Sequence, residues 1–401
     1  MINSRVPSNL LISRIATDIV QKQNSLAAVQ EQISTGKKIN RPSDAPAESA
    51  HLVTMKETVA QLEQFNKNTA IAESKLSLEE AALSGTTSVL NRVRELTLRV
   101  SNGVVNDSFR AEINSEVKLA LEELYTLANS QDSFGNFLFG GSNIKQRPFS
   151  EGVPVNYAGS DESTKLEIAL NRTIVTGDAG TDVFMRIRSG NGDFQTNSEP
   201  TNIGTGRISR GAISDASVFD GTPYSISFTS ATNYDIVNAD TGAVAVAGET
   251  YEPGKNIQIN GMTTSIEGAP EAGDTFSIQA SEYRDIFSSV SGLIDALDAP
   301  QTDPVTDAHL RSSIDNAIGE IDNSLNHINT MRARVGTRLS SIDSSREENS
   351  NVALQIERTK SSVEDVDIAD AVTRLQVQAN SLEILQKSFT RLEGLSLFNY
   401  M

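Results

Sequence analysis

The chain has 401 residues, of which 38% are hydrophobic and 5% aromatic, and it contains neither Trp nor Cys. The absence of Cys excludes disulfides, thiolate metal sites and cysteine nucleophiles. The formal net charge of −18 at pH 7 argues against nucleic acid and anionic membranes as main partners, because both require dense cationic surface. At about 150 residues per domain, we expect two or three domains with lean, aliphatic cores.

A heptad stripe predicts the first helix. Its positions keep a 3,4 spacing and are Ile12, Ile15, Ile19, Lys22, Leu26, Val29 and Ile33. Gly36 can take the left-handed conformation that ends a helix, and the two prolines at 42 and 46 forbid a continuous helix. We expect Asp44 to cap the next helix, with Pro46 in its first turn. Residues 40–46 are therefore predicted to form a hinge or a sharp reversal of the chain.

An antiparallel pair of helices is predicted to follow the hinge. Apolar residues at helical spacing indicate one helix from Ala47 to Val100 and a second from Asn106 to near Gly135. A short connection between two helices favours antiparallel neighbours.

The composition changes between residues 149 and 281, where Gly, Thr, Ser and Asn dominate. Runs such as 224–228 and 256–260 alternate apolar and polar residues, which predicts strands, and Asn260-Gly261 is typical of a hairpin turn. Residues 151–282 hold 7 basic and 18 acidic residues, and thus −11 of the net charge. We expect an antiparallel β domain that is the solvated, outer part of the protein.

Helical spacing returns after Tyr283, and a long stripe begins at Ile314 with Arg332 as its one charged position. Ser361 and Glu364 are predicted to form a capping box for the last helix. The stripe of that helix again keeps 3,4 spacing and comprises Ile368, Ala371, Leu375, Gln378, Leu382, Leu385, Phe389 and Leu392.

These patterns predict an α+β fold, a long helical rod of antiparallel helices with N- and C-terminal coiled-coil segments and an inserted, mainly antiparallel β domain. The expected segments are an N-terminal coiled coil at 1–44, outgoing helices at 45–150, the β domain at 151–282, returning helices at 283–360 and a C-terminal coiled coil at 361–401.

The terminal stripes have two interpretations. Burying about six apolar side chains contributes ~1.5–3 kcal/mol each, whereas ordering the backbone costs ~1–2 kcal/mol per residue. The ends are then frayed in a free monomer and become ordered when neighbouring subunits cover their remaining faces. Alternatively, the two ends form one intramolecular coiled coil, and the periodicity leaves both interpretations open. Lys22 either fixes register in the stripe or extends to solvent from its edge.

Four stretches of the sequence carry a family resemblance. Residues 30–47 resemble the amino-terminal signature shared by bacterial flagellins and flagellar hook-associated proteins, and residues 363–371 resemble its carboxy-terminal counterpart. Residues 134–141 and the tail 394–401 are similar to hook-associated proteins of the hook–filament junction and differ from flagellins. The hinge and signature positions are Gly36, Pro42, Ser43, Asp44, Pro46, Phe139, Gly140 and Gly141.

The resemblance implies a structural subunit with no catalytic, metal-binding or cofactor-binding residues. It implies export by the flagellar type III apparatus, after a cytoplasmic export chaperone has covered the C-terminal helix, and assembly in the extracellular flagellum at the hook–filament junction. The implied partners are further copies of the chain, hook-associated protein 1 and flagellin, with no nucleic acid and no membrane. The expected assembly interface comprises the terminal stripes together with Leu395, Leu397 and Phe398.

Two alternatives remain at this point. A divergent flagellin would share the terminal signatures, although residues 139–141 and the tail argue against it. The β insert could instead be a glycan-binding or enzymatic module, although its few aromatic residues make sugar stacking unconvincing. The first ten residues lack the apolar block of a secretory signal, which disfavours Sec-type export, and no run of 18 apolar residues predicts a membrane span.

Overall fold

The structure, a computed structural model, describes residues 8–102, 106–152 and 155–398. The helices are α1 (Ser8–Thr35), α2 (Pro46–Asn102), α3 (Asp107–Ala128), α4 (Ile286–Asp298), α5 (Pro304–Glu364) and α6 (Ile368–Phe398). Between α3 and α4 lie a π-helical turn (Thr181–Met185) and the strands β1 (Phe149–Ser150), β2 (Asn156–Tyr157), β3 (Lys165–Ala169), β4 (Arg172–Val175), β5 (Ile187–Arg188), β6 (Phe194–Ser198), β7 (Arg207–Ile208), β8 (Ala212–Ile213), β9 (Tyr224–Ser230), β10 (Asn233–Asn238), β11 (Val244–Thr250), β12 (Asn256–Ile259), β13 (Met262–Glu267), β14 (Thr275–Ala280) and β15 (Tyr283–Arg284).

The predicted α+β class is confirmed, with long helices toward both ends and an inserted antiparallel β region. The chain forms two compact units, of which the first comprises residues 1–67 and 345–401 and the second residues 68–344. Helices α2 and α5 contribute one part to each unit. In the described part of the chain, no helix has an apolar stretch long enough to cross a bilayer.

The helical core of the second unit is formed by one face of each of α2, α3, α4 and α5. Aromatic side chains from the adjoining loops complete it: the ring of Phe139 meets the edge of Phe184 with centroids 5.0 Å apart, and Tyr125 stacks on Phe287 at 4.4 Å. The core remains mainly aliphatic along the helices, as the composition predicted.

The β region contains a five-stranded antiparallel sheet of order β11-β10-β9-β14-β6 and a smaller sheet β12-β13-β7, with β8 paired to β13. Inward side chains of both sheets share one apolar core that includes Phe194, Phe228 and Phe276. The hairpin between β12 and β13 turns at Asn260 and Gly261, with φ values of 45° and 76°. Positive φ at both central residues fits a type I′ turn, which explains why the Asn-Gly pair predicted this hairpin correctly.

Four local predictions are wrong. The capping box at Ser361 and Glu364 does not form, because α5 continues through Glu364 and α6 begins at Ile368. The last helix is capped instead by Asp367, whose Oδ1 accepts from the backbone N–H groups of Ala369 and Asp370 at 2.9 and 3.2 Å. A carboxylate is an effective cap at this position because it satisfies the free N–H groups of the first turn.

Asp44 does not cap α2, although Pro46 is the first residue of that helix as predicted. The Asp44 carboxylate turns back and accepts from the backbone N–H groups of Asn40 and Arg41 at 3.2 and 2.9 Å. It therefore holds the hinge loop closed from within the loop. A sequence motif cannot distinguish the two uses, since both satisfy free backbone donors.

Arg332 is not the charged position of the α5 stripe. The buried position is Met331, which is 1% exposed, and the guanidinium of Arg332 pairs with Glu80 of α2 at 2.6 Å. A spacing of 3 followed by 4 serves a helical stripe as well as 4 followed by 3. The shift by one position keeps the core apolar and places the charge beside a partner.

The third helix also ends earlier than predicted, at Ala128.

Candidate assembly interface

The terminal helices α1 and α6 pack against each other in the first unit. The end of α1 is joined to the start of α6 by an antiparallel bridge between Lys37 and Asp365 and by a hydrogen bond from Val366 N to Gly36 O at 3.0 Å. The two helices therefore run antiparallel. This is the intramolecular pairing that the periodicity had left open as one of two interpretations.

Gly36 is the point at which the chain leaves α1. Its φ is +72°, a left-handed conformation that costs a residue with a side chain roughly 1–2 kcal/mol. The following loop is fixed to the end of α5, because Lys38 N donates to Glu364 O at 2.6 Å and Lys37 Nζ binds Glu364 Oε1 at 2.6 Å. The ammonium groups of Lys37 and Lys56 lower the pKa of Glu364, so the carboxylate that anchors this loop stays ionised.

The predicted stripe residues line the seam between α1 and α6 to different degrees. Val29 and Ala371 are fully buried, at 5% and 0% exposure, whereas Ile368 lies at the edge and is 48% exposed. The half-buried members are Ile15, Ile19, Lys22, Leu26, Ile33, Leu375, Gln378, Leu382, Leu385 and Phe389. The side chains of Ile12, Leu392, Leu395, Leu397 and Phe398 lie outside the part of the chain that the structure describes.

Polar atoms interrupt this seam near its middle. Lys22 is half-buried, and the Oε1 atom of Gln378 is buried without a hydrogen-bond partner. A buried amide oxygen left unpaired costs roughly 1–3 kcal/mol. The middle of the seam is therefore less stable than its apolar ends would suggest.

Further apolar side chains of α1 and α6 remain exposed outside the seam, and the predicted stripes do not include them. We call these residues the outer row, and they are Leu10, Val20, Val372, Val377 and Ile384, which are 45–64% exposed. The search for strict 3,4 spacing assigned one stripe to each helix and ignored the apolar residues between its positions. The signal was present, because a helix that is apolar on more than one face is usually covered on more than one side.

The remaining signature residues lie in two places. Pro42 and Ser43 are exposed on the hinge loop beside Asp44. Phe139, Gly140 and Gly141 are buried in the second unit, where Phe139 O accepts from Gly180 N at 3.0 Å and Gly140 O from Ser160 N at 3.0 Å. A Cβ on Gly141 would meet Ser160 O at 1.8 Å. This signature therefore has a packing role in the structure and is separate from the terminal helices.

Within the described ranges, no group of three or more His, Asp or Glu side chains is placed to hold a metal ion. His327 and His309 lie against backbone oxygens, with Nε2 at 2.8 Å from Asp182 O and 3.2 Å from Asn202 O respectively. These contacts fit a structural role for both rings.

Comparison with known proteins identifies relatives along nearly the whole chain. The family description "bacterial flagellin N-terminal helical region" matches residues 6–144. Flagellar hook-associated protein 3 of Escherichia coli is 25% identical over 395 residues, which are 98% of either chain.

Two solved structures are similar to this chain in fold. The chain is similar to Xanthomonas campestris FlgL, with 30% identity and a TM-score of 0.72 over 77% of this chain and 99% of that one. The flagellar junction protein FlgL of Legionella pneumophila is 27% identical with a TM-score of 0.71 over 79% and 99% of the two chains.

Proposed function

The chain belongs to the FlgL family of flagellar hook-associated proteins and is a structural protein of the bacterial flagellum; we propose that its terminal helices are the surface through which copies assemble into a layer at the hook–filament junction. One observation carries this proposal. The helix pair α1–α6 buries one apolar seam and leaves the outer row exposed along both helices.

The outer row is exposed apolar surface that a neighbouring subunit could cover. Side chains such as Val377 and Ile384 are 60% and 64% exposed, and covering each one contributes about 1.5–3 kcal/mol. Repeated around a layer, contributions of this size hold subunits together although each single contact is modest. The half-buried seam supports the same proposal, because a neighbour that covers it removes further apolar surface from water.

The implied neighbours follow from the family and are part of the proposal. We propose that the layer contacts hook-associated protein 1 on the hook side and flagellin on the filament side. Before assembly, a cytoplasmic chaperone covers α6, whose outer row includes Val372, Val377 and Ile384, and the chain leaves the cell through the flagellar type III apparatus. We propose no catalytic activity for either unit.

A divergent flagellin is the second candidate, and the junction function is favoured over it. The hook-associated protein 3 relative matches this chain from end to end at nearly equal length. The solved FlgL structures cover 77% and 79% of this chain at TM-scores above 0.7.

Complementation of a strain that lacks its own hook–filament junction protein tests the proposal. The full chain is expected to restore attached filaments, and Val377→Asp is expected to reduce their number about tenfold or more, because a charge in the contact removes at least 1.4 kcal/mol per interface. Val218→Asp is the matched control, since Val218 is 51% exposed in the β region. Equal filament numbers for the two variants would contradict the role of the outer row.

A further inference from the structure

A cleft in the first unit lies between the hinge loop, the first turns of α2 and the end of α5, and has a volume of about 240 Å³. We call it the hinge cleft. Its described lining residues include three cations, Lys37, Arg41 and Lys56, and one carboxylate, Glu364. The apolar part of its wall includes Val53, which is 55% exposed. A cationic, partly apolar cleft is unexpected on a chain with a net charge of −18.

The charges inside the hinge cleft are only partly balanced. Glu364 binds Lys37 Nζ at 2.6 Å, whereas Lys56 Nζ is 3.7 Å away from the same oxygen, beyond hydrogen-bond distance. Arg41 reaches outward to Glu31 at 3.3 Å, with its side chain 69% exposed. Two ammonium groups thus share one carboxylate and keep free donors directed at the cleft or at solvent.

A second, independent observation points to an acceptor that is missing from the hinge cleft. The hydroxyl oxygen of Ser49, a lining residue, is buried and has no hydrogen-bond partner. An unpaired buried hydroxyl costs roughly 1–3 kcal/mol. An incoming carboxylate would accept a charge-assisted hydrogen bond from the Lys56 ammonium group, and bonds of this kind are the strong ones.

The same unit presents a surface of the opposite character. Residues 365–370 contain three Asp, and the side chains of Asp365, Asp367, Ile368 and Asp370 are all exposed. We call these four residues the acidic ridge. One oxygen of each carboxylate already has a partner: Asp365 Oδ2 accepts from Ser361, Asp367 Oδ1 accepts from the first turn of α6, and Asp370 Oδ2 pairs with Arg374 at 2.9 Å. The acidic ridge combines carboxylates with the exposed side chain of Ile368, whereas the hinge cleft combines cations with the exposed side chain of Val53. The two surfaces are therefore opposite in charge, and each has an apolar part.

We propose that the hinge cleft of one copy receives the acidic ridge of a second copy of this chain. The inference rests on the proposed function, because it names the contact by which neighbouring subunits of the layer recognise each other. A cleft on one copy and a ridge on the next form a heterologous contact, and repetition of such contacts generates rings or helical layers. Charge complementarity fixes register and excludes wrong partners, while the outer row supplies apolar area.

Disulfide trapping between two single-Cys variants of the full chain tests the contact. Because the native chain contains no Cys, each variant has one thiol and cannot form an intramolecular bond. A size-tagged Val53→Cys chain is mixed with an untagged Ile368→Cys chain under mild oxidation. We expect the mixed dimer to exceed both homodimers, and to exceed by about tenfold the dimer from the control pair Lys67→Cys with Ile368→Cys. Lys67 is exposed on α2 outside the cleft.

Exchanging charges between the hinge cleft and the acidic ridge tests which residues make the contact. Adding Lys56→Glu to the cleft chain is expected to lower the mixed dimer at least fivefold, and adding Asp370→Lys to the ridge chain is expected to restore at least half of it. Melting temperatures show that each variant folds. A mixed dimer no more abundant than the control overturns the proposal, as does a charge exchange that restores nothing. Trapping that fails while the native chain still restores filaments removes only this inference, whereas a native chain that restores no filaments removes the proposed function.

Discussion

Glu79 shows how a single buried residue constrains the second unit. It lies on α2 at 2% exposure, its Oε1 accepts from Asp178 N at 3.3 Å, and its Oε2 is buried without a partner. Burial, together with the negative charge of Asp178, raises the pKa of Glu79 to about 8. Arg338 opposes this effect only in part, because its guanidinium is held by both oxygens of Asp178 at 2.8 Å.

The pH dependence of stability follows from this pKa. The folded chain keeps a proton on Glu79 that the unfolded chain releases near pH 4.5, so this stabilisation is complete below pH 4.5 and is lost as the pH rises to about 8. We predict that Glu79→Gln reduces the loss of stability between pH 5 and pH 9 by about 2–4 kcal/mol. Thermal melting at both pH values measures this loss, with Glu122→Gln, at an exposed position of α3, as the control. A loss as large in Glu79→Gln as in the native chain would contradict the assignment.

Single residues were predictable where the backbone itself demands a residue type. Gly36 and the Asn260-Gly261 pair adopt positive φ, a condition that few other residues meet, and both were predicted. The predicted cap at Asp44 and the predicted stripe position of Arg332 were wrong, because a carboxylate or a guanidinium has several possible partners within reach. Which partner it takes depends on tertiary contacts, such as Glu80 for Arg332, that are absent from local sequence.

At the scale of elements, the terminal pair α1–α6 was predictable as two stripes, but its outer row was not. Periodicity identifies the face that is buried most regularly, and Val29 and Ala371 confirm that face by their burial. The exposed residues Val20 and Ile384 lie outside the 3,4 spacing of the stripes, so the spacing did not predict a role for them. Which surface a second subunit covers is a property of the assembly, and the monomer sequence encodes it only weakly.

Substitution of Lys22 tests whether a polar residue lowers the stability of the seam between α1 and α6. A polar residue in a heptad seam lowers stability and restricts the choice of partner, and Lys22 is half-buried there. We predict that Lys22→Leu raises the melting temperature of the helix pair and strengthens self-association at least fivefold. Sedimentation velocity measures the oligomer distribution, and Lys67→Leu, at an exposed position of α2, is the control. An unchanged distribution would mean that Lys22 extends freely to solvent.

At the scale of the whole molecule, the chain forms two compact units. The first unit holds the terminal helices, the hinge cleft and the outer row, whereas the second contains the helical and β cores. The β region was predicted from its turns and alternation, yet its strand order β11-β10-β9-β14-β6 was not, because pairing between distant strands depends on contacts that no local pattern specifies.

The most direct test of the central claim is the position of the chain on an intact flagellum. Because the chain has no native Cys, Asp240→Cys in the exposed turn between β10 and β11 introduces one thiol for gold or dye labelling. A subunit of the hook–filament junction gives one narrow band where hook and filament meet. Label distributed along the whole filament would contradict this account and would identify the chain as a filament subunit.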